Sequence, residues 1–309
     1  MTKSNSMFRM PAEWDPHEAC LILYPHNPGV FRSEASKCDL ARAEVRAVAR
    51  AICYHGKENV VLFCNTKDES DELKSMLEKE DEKSDEADHK CKISVEVCES
   101  DDSWCRDTGP TFVRAKDSNQ IVGLDWNFNA YGGPDEGCYW PCDLDRKVAG
   151  NMILTLSRVF ASSKDLIHEE IDLVLEGGSF HTDGEGTILT TEECLLNPNR
   201  NPNLSKEQIE SIILEKLGAS KIIWLPNGIA FDEDTNGHVD NIATFARPAE
   251  IVLSWTDDVE DMNYKLFKEA EDVLQNNRDA KGRSFVVHKL HVPNPMVCYS
   301  YVYVPCMFD

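Results

Sequence analysis

The sequence has no apolar run long enough to cross a bilayer. Its apolar stretches, Cys20 to Tyr24 for example, are strand-sized. Residues 1–10 hold no apolar core, so no secretory signal is expected there. Basic charge is scarce: 32 Lys+Arg stand against 55 Asp+Glu, a formal net charge of −23. A surface that acidic repels phosphate backbones and anionic lipid, so neither nucleic acid nor a membrane is an expected partner, and a small cationic ligand is. There is no phosphate-cradling P-loop, no G-x-G-x-x-G and no G-x-S-x-G elbow, which removes support for nucleotide, dinucleotide and serine-hydrolase chemistry. There is no H-E-x-x-H either, and His17, His26, His181 and His238 are widely spaced. Of the 12 cysteines, Cys138/Cys142 and Cys91/Cys98/Cys105 are too loosely spaced for a zinc knuckle. Free thiols, no cofactor, no metal and a cytoplasmic location are therefore the expectation.

What is present is an ordinary globular composition. The 309 residues are 41% hydrophobic and 28% charged, enough for a sizeable core and consistent with one domain over 1–309. Helical and strand patterns alternate. Ala41, Val45, Val48, Ala49 and Ile52 mark one face of a helix over 34–54, and residues 59–63 read as a buried strand. Helices near 144–160, 206–217 (with Ser205 as N-cap) and 261–275 precede strands at 171–175, 221–225 and 285–290. Units of a helix plus several strands thus recur, which fits either a doubly wound sheet or a propeller of α/β blades. Residues 66–90 stand apart, with eleven acids and five lysines; a helical start through Leu77 and then a solvated, mobile acidic insertion are expected.

Four short stretches concentrate chemistry. They are Met10-Pro11-Ala12-Glu13-Trp14-Asp15-Pro16-His17, Ser103-Trp104-Cys105-Arg106-Asp107-Thr108-Gly109-Pro110, Leu175-Glu176-Gly177-Gly178-Ser179 and Asp232 through Asp240. In an extended segment His238 and Asp240 would share a face, and a carboxylate beside an imidazole supports a proton shuttle near neutral pH. Glu176 follows an apolar run, where a lone buried carboxylate is costly unless it is paired or used. If Asp107, Glu176, Asp234 and Asp240 converge, they make a site for a cation, either a metal or a planar guanidinium that carboxylates grip through paired hydrogen bonds.

Those four stretches, in that order, resemble the agmatine deiminase (agmatine iminohydrolase) family within the Porphyromonas-type peptidyl-arginine deiminases. The resemblance implies an α/β fold, a five-fold pseudo-symmetric propeller of the guanidine-modifying type. It also implies a cofactor-free hydrolysis of agmatine to N-carbamoylputrescine and ammonia, on the way to putrescine. By motif matching, Asp107 and Asp240 would clamp the guanidinium, and Glu176 would orient His238 as general acid–base. Asp234 would meet the distal ammonium, and Trp104 would line the site. A homo-oligomer is compatible with it. Peptidyl-arginine deimination, or a non-catalytic agmatine binder, are the alternatives. In that family a nucleophilic cysteine closes a Gly-rich C-terminal stretch ending in His-Cys, which this sequence does not show. The motif resemblance fades after Val292-Pro293-Asn294-Pro295, and Cys298 and Cys306 lack that setting. The expectation is a chain missing most of its last blade and its nucleophile, inactive as it stands, with Cys105 a packing residue.

Overall fold

The structure is a computed structural model that describes residues 7–31, 35–81, 91–118, 120–160 and 166–293. In chain order the described strands are β1 (Phe8–Arg9), β2 (Ala19–Leu23), β3 (Asn59–Cys64), β4 (Ile93–Val97), β5 (Thr111–Ala115), β6 (Ile121–Asn127), β7 (Leu166–Val174), β8 (Phe180–Thr182), β9 (Thr187–Thr191), β10 (Lys221–Leu225), β11 (Ala243–Arg247), β12 (Glu250–Trp255) and β13 (Val286–His291). The α-helices are α1 (Ala35–Ala51), α2 (Lys67–Asp81), α3 (Cys105–Thr108), α4 (Gly133–Glu136), α5 (Val148–Val159), α6 (Glu192–Leu195), α7 (Lys206–Leu217) and α8 (Met262–Asn276). None of them is long and apolar enough to cross a membrane. The chain divides into two compact units: Met1–Trp14, Thr111–Pro141 and Glu169–Asp309 form the first, and Asp15–Pro110 with Cys142–His168 the second.

The first unit holds three sheets, ordered β1-β5-β6-β7, β10-β9-β8 and β11-β12-β13. The last two share a plan: an antiparallel pair, then a helical crossover to a strand parallel with the second of the pair. This is the helix-plus-strands recurrence legible in the sequence. The helix ends follow elementary capping chemistry. The Ser205 side chain accepts from the Gln208 amide while the Gln208 side chain accepts from the Ser205 N–H, closing a capping box at the start of α7. Asp261 caps α8 by accepting from the Asn263 amide. The core gathers Val113, Leu124, Ile171, Leu173, Leu175, Ile188, Ile209 and Ile213 in one cluster, and Leu189, Ile223, Ile251, Leu253, Phe267 and Leu274 in another. Each such side chain contributes about 1.5–3 kcal/mol on burial.

The second unit holds the sheet β2-β3-β4, all parallel, with α1 and α2 as the intervening segments. Central β3 is apolar from Val60 onward because both of its faces are covered. The helix α1 buries Cys38 and Ala49, whereas Val48 is 52% exposed, so the buried stripe runs through Cys38, Val45, Ala49 and Ile52 rather than including Val48. α2 continues one turn past Leu77, to Asp81, because Ser70, Leu73 and Leu77 recur at helical spacing and are buried. Residues 82–90, the rest of the expected acidic insertion, lie outside the described residues, as do Cys298 and Cys306.

Candidate active site

In the first unit, the side chains with the most unusual burial collect beyond the C-terminal ends of β7, β9 and β10, where α/β folds place their chemistry. Glu176 follows β7 and is fully buried; its Oε1 accepts a 2.6 Å bond from Arg200 Nε. Its Oε2 is buried and accepts no hydrogen bond among the described residues. Arg200 is itself buried and fans out its other donors. They reach the Tyr131 carbonyl, Asn199 Oδ1 and Asn236 Oδ1 (2.7 Å each for the latter two), and the Thr235 carbonyl at 2.9 Å. Burial opposes the Arg200 charge, but the Glu176 carboxylate outweighs it and holds the guanidinium above its ordinary value.

The loop after β10 delivers His238, which is 2% exposed. Asp232 shapes that loop: its carboxylate accepts from the backbone amides of Thr235, Gly237 and His238 and from the Thr235 hydroxyl. Asn236 and Gly237 both take positive φ, 58° and 86°. The turn then runs straight into a 3-10 turn, Val239–Asn241. This corrects the extended geometry expected for His238 and Asp240: the shared face does not arise that way, because the Asp232-closed turn winds the chain. Asp240 sits half-buried inside the 3-10 turn, and Asp234 is exposed at the loop's outer end, its carbonyl accepting from Cys138 Sγ at 3.4 Å.

A third side chain completes the cluster. Cys194, in α6 after β9, is fully buried; its sulfur, a Glu176 carboxylate oxygen and a His238 ring nitrogen lie within 4.8 Å of one another. The Tyr131 ring lies 6.0 Å from the imidazole, tilted by 59°. Such a trio has ligand chemistry for a borderline-soft cation, but Arg200 already holds the carboxylate, and its fixed charge opposes a second cation there. A buried imidazole beside a carboxylate can instead receive and return a proton. The sequence singled out Glu176 and His238 and missed Arg200 and Cys194. The signal for Arg200 is a lone cation in the uncharged loop Asn197-Pro198-Asn199-Arg200-Asn201-Pro202.

Asp107 and Trp104 stand in the second unit, on and just before α3. Trp104 is 41% exposed and Asp107 half-buried. Their surroundings are strongly anionic. Asp145 accepts from the Asp101 and Asp102 amides at 2.8 and 3.4 Å, and Asp101 accepts in return from the Leu144 and Asp145 amides at 3.0 and 3.3 Å. Buried Asp102 accepts from the Ser103 amide at 2.6 Å, yet burial, reinforced by Asp145, Asp107 and Asp101, pushes its carboxyl up to about 6. Desolvation likewise raises the Cys105 thiol to about 12, which suits packing and not attack.

The Asp102 shift gives a stability prediction. Its folded-state value lies above the usual carboxylate value of 3.8, so the native chain holds the proton longer than the unfolded chain does. Stability from this group is complete below about pH 4, falls as pH rises to about 6, and stays lower above that, by about 3 kcal/mol at most. Asp102→Asn keeps the acceptor for Ser103 and removes the titration. Denaturant melts at several pH values should show the variant gaining on the parent between pH 4 and 6; a constant difference would show that Asp102 titrates normally.

Comparison with known proteins now adds to the geometry. Residues 9–306 match the Porphyromonas-type peptidyl-arginine deiminase family. The match runs past residue 295, where the motif resemblance fades. The chain is 43% identical over 289 residues to the agmatine deiminase of Pseudomonas aeruginosa (strain LESB58), covering 94% of this chain and 72% of that one. It is 44% identical over 289 residues to the agmatine deiminase of Stutzerimonas stutzeri, with the same coverage. Among solved structures, agmatine deiminase of Enterococcus faecalis superposes with a TM-score of 0.80 at 35% identity, covering 94% of this chain and 72% of that chain. A cysteine-to-serine variant of the C. jejuni agmatine deiminase, solved with substrate bound, gives 0.72 at 25% identity, covering 95% and 76%. The mixed α/β fold and these relatives place the chain among hydrolases that act on C–N bonds. The chain belongs to the Porphyromonas-type peptidyl-arginine deiminase family.

Proposed function

We propose that this chain carries an agmatine deiminase site, for hydrolysis of agmatine to N-carbamoylputrescine and ammonia in the supply of putrescine. The observation that carries the reading is the fully buried Glu176, held by Arg200 on one oxygen and lying beside His238 with the other side of the cluster open to Cys194. It occurs in a chain 43% identical to an agmatine deiminase. The acidic setting of Trp104 and Asp107 and the net charge of −23 suit a substrate with a cation at each end.

In this reading Asp240 grips the guanidinium nitrogens and Asp234 meets the distal ammonium, while Asp107 and Trp104 keep the guanidinium-binding and site-lining roles that the motif resemblance implies. A cysteine thiolate adds to the guanidinium carbon, and the C–N bond to the departing nitrogen breaks as His238 protonates it to ammonia. His238 then takes a proton from water; the hydroxide adds to the amidino-thioether carbon, the C–S bond breaks to restore the thiolate, and the added hydroxyl loses its proton to solvent as N-carbamoylputrescine leaves. Glu176, fixed by Arg200, orients the imidazole and stabilises its charged form. The architecture proposed with it is the five-fold α/β propeller, supported by the four sheets among the described residues and the repeated ββαβ plan. A cytoplasmic, homo-oligomeric enzyme is part of the same proposal.

The nucleophile is the open part. Cys194 is the described cysteine in the Glu176–His238 cluster and is fully buried. The test supplies agmatine to the purified, folded chain and follows binding by calorimetry and N-carbamoylputrescine by mass spectrometry. Saturable binding supports the site, and product identifies a cysteine of this chain as the nucleophile. Asp107→Ala or Asp240→Ala should each weaken agmatine by about 10–100-fold, the worth of a charge-assisted hydrogen bond. Unchanged affinity in both, or arginyl peptides outcompeting agmatine, defeats the proposal.

A further inference from the structure

We propose that His17, Cys20 and Glu58 form a binding site for a zinc-class divalent cation, in the second unit and independent of the deiminase reading. The three come from neighbouring strand starts. The parallel register pairs Ala19 with Asn59 and Cys20 with Val60, which brings Glu58, just before β3, alongside His17 and Cys20 at the start of β2. The Cys20 thiol donates to Glu58 Oε2 at 3.1 Å, and His17 Nδ1 lies 3.3 Å from the same oxygen. One ligand atom from each residue lies within 4.8 Å of the others. Zinc bonds of about 2.0–2.3 Å in a tetrahedron imply ligand separations of roughly 3.3–3.8 Å, so small side-chain rotations suffice.

The donor set has the right chemistry and charge. Imidazole nitrogen, thiolate sulfur and carboxylate oxygen are the three ligand types zinc accepts, and thiolate plus carboxylate neutralise a dication. The backbone carrying them is tied down. The Asn59 side chain donates to the Glu18 carbonyl at 3.0 Å and accepts from the Lys92 amide at 3.0 Å, and the Glu58 amide donates to the Ile52 carbonyl at 3.3 Å. His17 and Glu58 are 42% and 32% exposed, so an ion can enter and water can take the fourth corner. Burial, then Glu58, pushes the Cys20 thiol up to about 12; it remains a protonated donor until the ion forms the S–metal bond and releases that proton to solvent. A bound ion would cross-link the starts of β2 and β3 and raise the melting temperature.

The probe is cobalt(II) titrated into the reduced, full 309-residue chain. One equivalent is expected to give the near-ultraviolet thiolate-to-cobalt charge-transfer band and the visible bands of a tetrahedral site, with zinc displacing it. Cys20→Ser should abolish the charge-transfer band, Glu58→Gln and His17→Ala should each weaken binding by about tenfold or more, and Cys194→Ser should leave the band intact. Zinc should raise the melting temperature of the parent and of Cys194→Ser, and not of His17→Ala, which also serves if Cys20→Ser does not fold. A band that survives in Cys20→Ser, a band lost in Cys194→Ser, or no band with cobalt in large excess overturns the site.

Discussion

Arg200→Ala should destabilise the chain by about 3–5 kcal/mol, the usual cost of removing one member of a buried ion pair. Both partners are fully withdrawn from solvent, so the Glu176 carboxylate left behind has no water to replace the guanidinium. Arg200 also spans to Tyr131, Thr235 and Asn236, so the same change frees the loop that delivers His238. Arg200→Lys should recover only part of the loss, since an ammonium cannot reproduce the planar fork that meets a carboxylate and several carbonyls at once. Adding Glu176→Gln to Arg200→Ala should give some of the loss back, with a coupling energy of about 2 kcal/mol, because much of the penalty is the bare charge. Denaturant midpoints at constant slope measure the parent, both Arg200 variants, Glu176→Gln alone and the double variant. A cost under about 1 kcal/mol for Arg200→Ala would mean that water reaches Glu176 and that the cluster is not the enclosed site described above.

That pair also marks the limit of what could be read from the sequence. Glu176 was legible because it stands where an apolar run meets a Gly-containing turn, and His238 because a carboxylate, Asp240, follows two residues on; both are local patterns. Arg200 and Cys194 were not, because their roles depend on partners 24 residues away for Arg200–Glu176 and on three strand ends meeting for Cys194. The site at His17, Cys20 and Glu58 escaped for the same reason: Cys20 and Glu58 are 38 residues apart in sequence and neighbours only through parallel pairing. The expected extended geometry at His238 and Asp240 failed where a side chain, Asp232, overrode the local propensity by closing the turn.

The elements themselves were more legible. Ser205 with Gln208 and Asp261 carry cap chemistry that works over three residues, and the helices they start, α7 and α8, fall where their patterns place them. The long apolar run of β3 identified a strand covered on both faces. Val48 misled because its spacing allows two overlapping stripes on α1, and only the burial of Cys38 and Ala49 chooses between them. The recurrence of strands around a helix was visible, but the pairing order within each sheet was not, since β12 joining β13 in parallel is a tertiary fact.

Gly228→Ala should cost about 3 kcal/mol or more, and the backbone explains why. A Cβ at Gly228 would lie 2.3 Å from the Gly237 Cα, 2.7 Å from its carbonyl carbon and 2.9 Å from its oxygen. No flexible side chain can yield there, so one of the two segments must move. Gly237 cannot easily do so: its amide donates to Asp232 Oδ2 at 2.9 Å, its carbonyl accepts from the Thr191 hydroxyl at 2.6 Å, and its φ of 86° leaves little conformational choice. Gly228 is tied as well, donating to Glu193 Oε2 at 2.8 Å. His238 follows Gly237 directly, so the displacement reaches the candidate acid–base and should weaken agmatine together with stability. Gly282→Ala is the control. That glycine has a similar φ of 83° but open space where its Cβ would be, so only the conformational cost of about 1–2 kcal/mol is expected, with ligand affinity unchanged. A cost under about 1 kcal/mol for Gly228→Ala would show that the contact between Gly228 and Gly237 does not set the shape of the loop.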